Sequence, residues 1–135
     1  MMNQLQTQGV VKLFEGSDGY ADGEQRRDFI YVKDVVSIIL WCWQAEVSGI
    51  FNCGTGQSRS FNDIANTLLQ LNQSGECRYI PFPEHLKGAY QSFTEANMQR
   101  LRAAGYNLPM HTLEAALTDY WHWFHGEKLG VTTAA

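Results

Sequence analysis

The sequence predicts an α/β fold, and three observations carry that expectation. The stretch Arg26 to Val35 alternates like a strand and runs directly into a helical pattern. A short apolar run, Gly49 to Cys53, closes on the glycine turn Gly54-Thr55-Gly56, as strands buried in parallel sheets do. Ser60 and Thr112 each stand immediately before helical periodicity, where hydroxyl N-caps belong.

Taken in order, Val10 to Phe14 reads as a first short strand, ended by the turn residues Glu15 to Gly19. Ser17 to Gln25 is rich in Gly and Asp and is expected as an exposed loop. In the next strand Arg27, Phe29 and Tyr31 share one side, and Asp28, Ile30 and Val32 the other. Asp34 is placed to cap a helix from Val35 to Ala45 that is apolar on nearly every side, so a short chain has little material to cover it.

Ser60 with Asp63 three residues on predicts a capping box, and Ile64, Leu68, Leu69 and Leu71 supply that helix's packing face. Cys77 to Phe82 alternates as a strand and stops at Pro81 and Pro83. Thr94 is expected to cap a helix over Glu95 to Ala104, closed by Gly105 at C′. Thr112 caps a last helix through Phe124, and residues 126–135 are expected as a flexible tail.

Composition narrows the function. The 135 residues are 44% hydrophobic with a net charge of −4, enough for one core and against a basic nucleic-acid face. Cys42, Cys53 and Cys77 are an odd set without a C-x-x-C pair, and Cys42 and Cys53 sit in apolar runs as buried thiols do. This points to a reducing compartment, the cytoplasm. The longest apolar run, Val35 to Trp43, is too short to span a bilayer, and the N-terminus carries no signal-peptide pattern. His122 and His125 stand at i, i+3 without a third ligand close in sequence, which argues against a metal site. Gly54-Thr55-Gly56 lacks the Lys-Ser/Thr of a phosphate loop, and the four tryptophans read as packing groups. Arg27 offers a planar fork of donors suited to phosphate oxygens; a surface arginine paired with a carboxylate fits the same residue equally. Arg26 reads as solvated.

Several segments together carry a resemblance. They are Lys12-Leu13-Phe14-Glu15-Gly16-Ser17, Arg27-Asp28-Phe29-Ile30-Tyr31-Val32, Ser48 to Asn52 with Gly54-Thr55-Gly56, Tyr79-Ile80-Pro81-Phe82-Pro83, Leu86-Lys87-Gly88 with Tyr90-Gln91, Phe93-Thr94, and Leu101 to Tyr106. They resemble the C-terminal part of the ADP-glycero-manno-heptose 6-epimerases, a family of extended short-chain dehydrogenases/reductases. The resemblance runs from about Asn3 to Phe124. It implies an α/β substrate-binding portion, residues 1–125, with the Rossmann N-terminal domain absent and Gly49 to Cys53 joining that domain's sheet in an intact parent. No G-x-G-x-x-G occurs here, and no tyrosine is followed four residues later by lysine, so the family's dinucleotide loop and acid/base pair are missing.

The resemblance assigns substrate contacts to Phe14, Glu15, Gly16, Ser17, Arg27 and Tyr90, with Arg27 facing the diphosphate and Phe14 lying against adenine. It implies no catalytic residue in this chain. NADP belongs to the intact parent and is not expected to bind this chain alone. The implied partners are an ADP-sugar, the missing N-terminal domain and further copies of the parent, and the implied product feeds lipopolysaccharide core synthesis. A fragment of another sugar-nucleotide epimerase or dehydratase, or a non-catalytic interaction module, are the alternatives.

Overall fold

The computed structural model describes residues 1–126; the expected tail beyond Gly126 lies outside the described residues. The elements are α1 (Met2–Gln8), β1 (Val10–Phe14), β2 (Arg26–Arg27), α2 (Val32–Gln44), β3 (Arg59–Ser60), α3 (Phe61–Asn72), β4 (Glu76–Ile80), a 3-10 turn (Glu84–Leu86), α4 (Gln99–Ala103) and α5 (Leu113–Phe124). β1 pairs in parallel with β4 from Val10↔Glu76 to Phe14↔Ile80. β2 pairs antiparallel with β3, and Arg26 also makes an isolated parallel bridge to Phe93.

Burial divides the apolar side chains into two clusters. Met2, Leu5, Val11, Leu13, Ala65, Leu68 and Trp121 join α1, β1, α3 and α5, with Phe61, Ile64 and Leu117 packed against them. Ile38, Met98, Leu101 and Tyr106 form the second, between α2, α4 and the segment after it. The period-two pattern of β1 explains the first cluster: Val11 and Leu13 point inward while Val10, Lys12 and Phe14 stay half-buried.

Both hydroxyl caps form. Ser60 accepts from the Asp63 amide, and the Asp63 carboxylate accepts in return from the Ser60 amide, a full capping box. Thr112 Oγ1 accepts from the Ala115 amide. α1 was not anticipated; it presents only Met2 and Leu5 to the core, too little periodicity to read as a helix. Gly105 takes φ 111° one residue beyond the C-cap Ala104, as expected of a C′ glycine.

Four expectations are corrected. Residues 28–31 have no ladder partner: the strand ends at Arg27, although the alternation survives, with Phe29 against Phe61 and Ile30 in the second cluster. Asp34 is not a cap. α2 starts three residues earlier at Val32, and the buried Asp34 carboxylate accepts from the His111 amide at 3.0 Å and lies 2.6 Å from His111 Nδ1. A buried carboxylate needs such partners, and here they tie α2 to the segment leading into α5. The Thr94 helix is shorter, Gln99–Ala103, because Thr94 N donates to the Arg26 carbonyl at 3.1 Å, the Glu95 carboxylate accepts from Ser58 N at 2.9 Å and Ala96 N donates to Asp28 at 3.0 Å. Gly49 to Cys53 forms no strand; Ile50 is 84% exposed and Cys53 is exposed rather than buried. The segment from Tyr90 to Phe93 adds only the isolated bridge of Phe93 to Arg26.

The apolar α2 is covered on one face only. Ile38 is buried, whereas Val32, Val36, Ile39, Leu40 and Trp43 are exposed, Trp43 at 76%. Trp121 is buried and Trp41 meets Tyr106 edge-on, but Trp43 is exposed, and Trp123, though stacked on Tyr120 at 5.3 Å, is exposed as well. Removing the Ser60 cap isolates one local contribution: Ser60→Ala should lower unfolding free energy by about 1 kcal/mol in urea titrations without changing the slope.

Candidate functional site

The structure brings three distant segments to one place. Phe14, at the end of β1, meets Phe82 edge-on with ring centroids 5.3 Å apart and Tyr90 at 6.3 Å, while Phe82 and Tyr90 are 5.2 Å apart. Arg27 closes the group, its guanidinium carbon 4.9 Å from the Tyr90 ring centroid. A guanidinium over an aromatic face is held electrostatically, which orients its donor fork. Its Nη1 donates to the Arg26 carbonyl at 3.1 Å, one of five available N–H donors.

The turn after Phe14 is rigid for local reasons. Glu15 N donates to the Ile80 carbonyl at 2.9 Å, extending the β1–β4 ladder. Gly16 N donates to Asp22 Oδ1 at 2.8 Å, and a Cβ at Gly16 would meet the Tyr20 carbonyl at 2.2 Å, so only glycine fits. The amides of Glu15 and Gly16, expected to face a ligand, are therefore committed internally. The Ser17 hydroxyl and the exposed Glu15 side chain remain placed for outside contact. Beneath them lies Gln25, 2% exposed, whose Nε2 donates to the Glu15 carbonyl at 3.0 Å and to Ser17 Oγ at 3.3 Å. Gln25, Phe14 and Tyr90 line a cavity of about 100 Å³ together with Lys12 and Phe61. Binding pockets for drug-sized molecules run to several hundred Å³, so this hollow takes only part of such a ligand.

Arg26 is not solvated. Its Nη2 donates to the Ser58 carbonyl at 2.6 Å and its Nε to Ser58 Oγ at 3.3 Å, so β2 is fastened by the residue beside the candidate ligand group. On the other side of Arg27, Asp28 accepts four hydrogen bonds: Thr55 N at 2.8 Å, Thr55 Oγ1 at 2.6 Å, Gly56 N at 2.9 Å and Ala96 N at 3.0 Å. Burial alone would raise the Asp28 pKa, but the hydrogen bonds from Thr55, Ala96 and Gly56 outweigh it and hold the group below the ordinary carboxylate value. A Cβ at Gly54 would lie 2.6 Å from Asp28 Oδ2 and 2.4 Å from the Ala96 Cβ, which explains the glycine. The Gly54-Thr55-Gly56 turn thus spends its Thr55 and Gly56 amides on Asp28.

Desolvation pushes the half-buried Cys77 thiol up, and at Cys53, exposed as a residue, local desolvation with the charge of nearby Asp34 does the same. Burial, with Asp119 beside it, likewise raises Tyr31. No group of three or more His, Cys, Asp or Glu among the described residues could hold a metal ion. Gln25 and Asp28 were not singled out from the sequence. The signal for Asp28 was present, an aspartate one register step from Arg27 with a Gly-Thr-Gly turn downstream; for Gln25 there was none.

A family model described as the NAD dependent epimerase/dehydratase family matches residues 1–54. Among solved structures, ADP-L-glycero-D-manno-heptose-6-epimerase of Helicobacter pylori superposes with a TM-score of 0.76 at 29% identity, over 92% of this chain and 36% of that one. An NAD dependent NDP-hexosamine 5,6-dehydratase involved in tunicamycin biosynthesis superposes at 0.72 with 25% identity, over 93% and 38%. The chain is thus similar, in residues 1–54 and in its fold, to a partial, C-terminal piece of the NAD dependent epimerase/dehydratase family fold. It is 55% identical over 118 residues to an ADP-L-glycero-D-manno-heptose-6-epimerase of Alkalilimnicola ehrlichii, covering 87% of this chain. It spans 37% of that relative's length, little more than a third.

Because the folded Asp28 carboxyl lies below its unfolded value, its stabilisation is complete above about pH 4 and is lost as pH falls through the folded value. Asp28→Asn should cost about 2–4 kcal/mol at pH 7, and the gap to the unsubstituted chain should narrow as pH falls below about 4. Parallel pH series of urea denaturation measure it; a gap independent of pH would contradict the hydrogen-bond assignment.

Proposed function

We propose that this chain is the nucleotide-sugar-binding portion of an ADP-glycero-manno-heptose 6-epimerase, the enzyme converting the ADP-D-glycero heptose to its ADP-L-glycero form. Residues 1–125 are its substrate-binding part. The observation that carries the reading is the convergence of Arg27 with the Phe14, Phe82 and Tyr90 rings above the Glu15–Ser17 turn. A guanidinium held over Tyr90 suits a diphosphate, and the aromatic edge beside it suits a base. Glu15 and the Ser17 hydroxyl offer polar contacts at the rim, and Gly16 gives the turn its shape. The 55% identity to an ADP-heptose epimerase supports ADP as the nucleotide.

This chain binds and orients; it does not turn over substrate alone. NADP belongs to the part of the parent this chain does not span; the Gly54–Gly56 turn here spends its Thr55 and Gly56 amides on Asp28. The exposed face of α2 and the unpaired Gly49–Cys53 segment give that part an apolar surface to cover, with residues 49–53 joining its sheet. The intact parent is a homo-oligomer of the cytoplasm, where free Cys42, Cys53 and Cys77 persist, and its product enters lipopolysaccharide core synthesis.

The test joins this chain behind the remaining two thirds of the Alkalilimnicola relative. The fusion should bind an ADP-sugar in preference to UDP- and GDP-sugars by calorimetry. Arg27→Ala should weaken that binding by about 1.5–3 kcal/mol, roughly ten- to hundredfold, the range for a hydrogen bond to a charged group. An unchanged dissociation constant removes Arg27 from the site. The 135-residue chain by itself should show no turnover of ADP-heptose in a coupled product assay; activity in pure protein would overturn the assignment.

A further inference from the structure

The loop from Ser17 to Gln25 contributes more than a connection. Asp18 directly follows the ligand-facing turn and, with Gly19, forms the left-handed centre of a turn closed by Tyr20 N on the Ser17 carbonyl at 3.0 Å, φ 53° at Asp18, a conformation aspartate tolerates. Its Oδ2 accepts from Ser92 Oγ at 2.5 Å. Ser92 is nearly buried and stands two residues beyond Tyr90, with only Gln91 between. The Ser92 carbonyl in turn accepts from Arg26 N at 2.9 Å.

We propose that Asp18 and Ser92 form a clasp that holds Tyr90 at its working distance from the Phe14–Ser17 turn, making both of them positioning residues for nucleotide-sugar binding. This rests on the function proposed above. The site has two walls, the Phe14–Ser17 turn and the Tyr90 segment, and the Asp18–Ser92 bond spans them beside the ligand groups. The loop bearing Asp18 is itself anchored: Gly23 N donates to the Phe14 carbonyl at 3.0 Å, and Asn62 Nδ2 donates to the Asp22 carbonyl at 2.8 Å and to Glu24 Oε1 at 2.5 Å. A link to a fastened loop fixes the far wall; a link to a free one would only follow it. Asp18 is exposed and belongs to neither apolar cluster, so its loss leaves the fold intact.

The experiment measures ADP and ADP-sugar binding by the fusion with Asp18→Ala, Ser92→Ala and both together, and amide hydrogen exchange of residues 90–93 in the 135-residue chain. Each single change should raise the dissociation constant about three- to tenfold, and the pair no more than the worse single, because both remove one bond. Asp18→Asn keeps the acceptor and Ser92→Thr keeps the donor, so both should bind like the parent. Additive losses overturn the clasp. So does Asp18→Asn behaving like Asp18→Ala, which would mean that charge and not the bond matters. Exchange of residues 90–93 should quicken in Asp18→Ala and Ser92→Ala. If the unsubstituted fusion binds no ADP compound, that failure falls on the proposed function, and the clasp is judged on exchange alone, where unchanged rates overturn it.

Discussion

The Asp28 carboxylate is the interaction on which this arrangement depends. Three backbone amides and a hydroxyl, drawn from the Gly54–Gly56 turn and from Ala96, converge on two oxygens. Partial burial opposes the charge, yet the net shift is downward, so the hydrogen bonds exceed the desolvation they are set against. Without them, residues 28–31 would need a ladder partner they do not have. Asp28 therefore replaces strand pairing as the means by which Arg27 is held, and Arg26, bonded to Ser58, secures the opposite side.

From that anchor the site is built by clamps of the same kind. Gln25 supports the turn from below through two acceptors. Further out, Arg59 joins Asp63 at 2.9 Å and Glu114 at 2.7 Å, linking the start of α3 to α5. The neighbouring Arg59 guanidinium holds Asp63 and Glu114 below their usual range. These outer pairs are exposed enough to be weak individually. The inner ones, carried by buried or half-buried groups, set the geometry.

The apolar clusters have a different character. Each is small, and the second leaves most of α2 facing outward, with Ile39 at 60% and Leu40 at 47% exposure. A helix apolar on nearly every side belongs to an interior, and one covered face is what about a third of a relative's length can supply. The hollow beside Phe14 and Tyr90, about 100 Å³, is small as well.

Local signals were legible where local chemistry decides. The caps at Ser60 and Thr112, the C′ glycine at 105 and the β1 alternation each involve residues within four positions of one another, so the sequence alone determined them. The α/β class and the grouping of Phe14, Arg27 and Tyr90 could also be read there, the latter only through resemblance. Tertiary structure decided what depends on partners far along the chain. Asp34 became a buried partner of His111 instead of a cap, Thr94 lost its helix turn to the demands of Asp28, and Gly49 to Cys53 stayed unpaired. The physical reason is common to all three: a carboxylate or a strand edge takes whichever donors the fold brings within about 3 Å, and sequence spacing does not record distance across 68 to 77 residues.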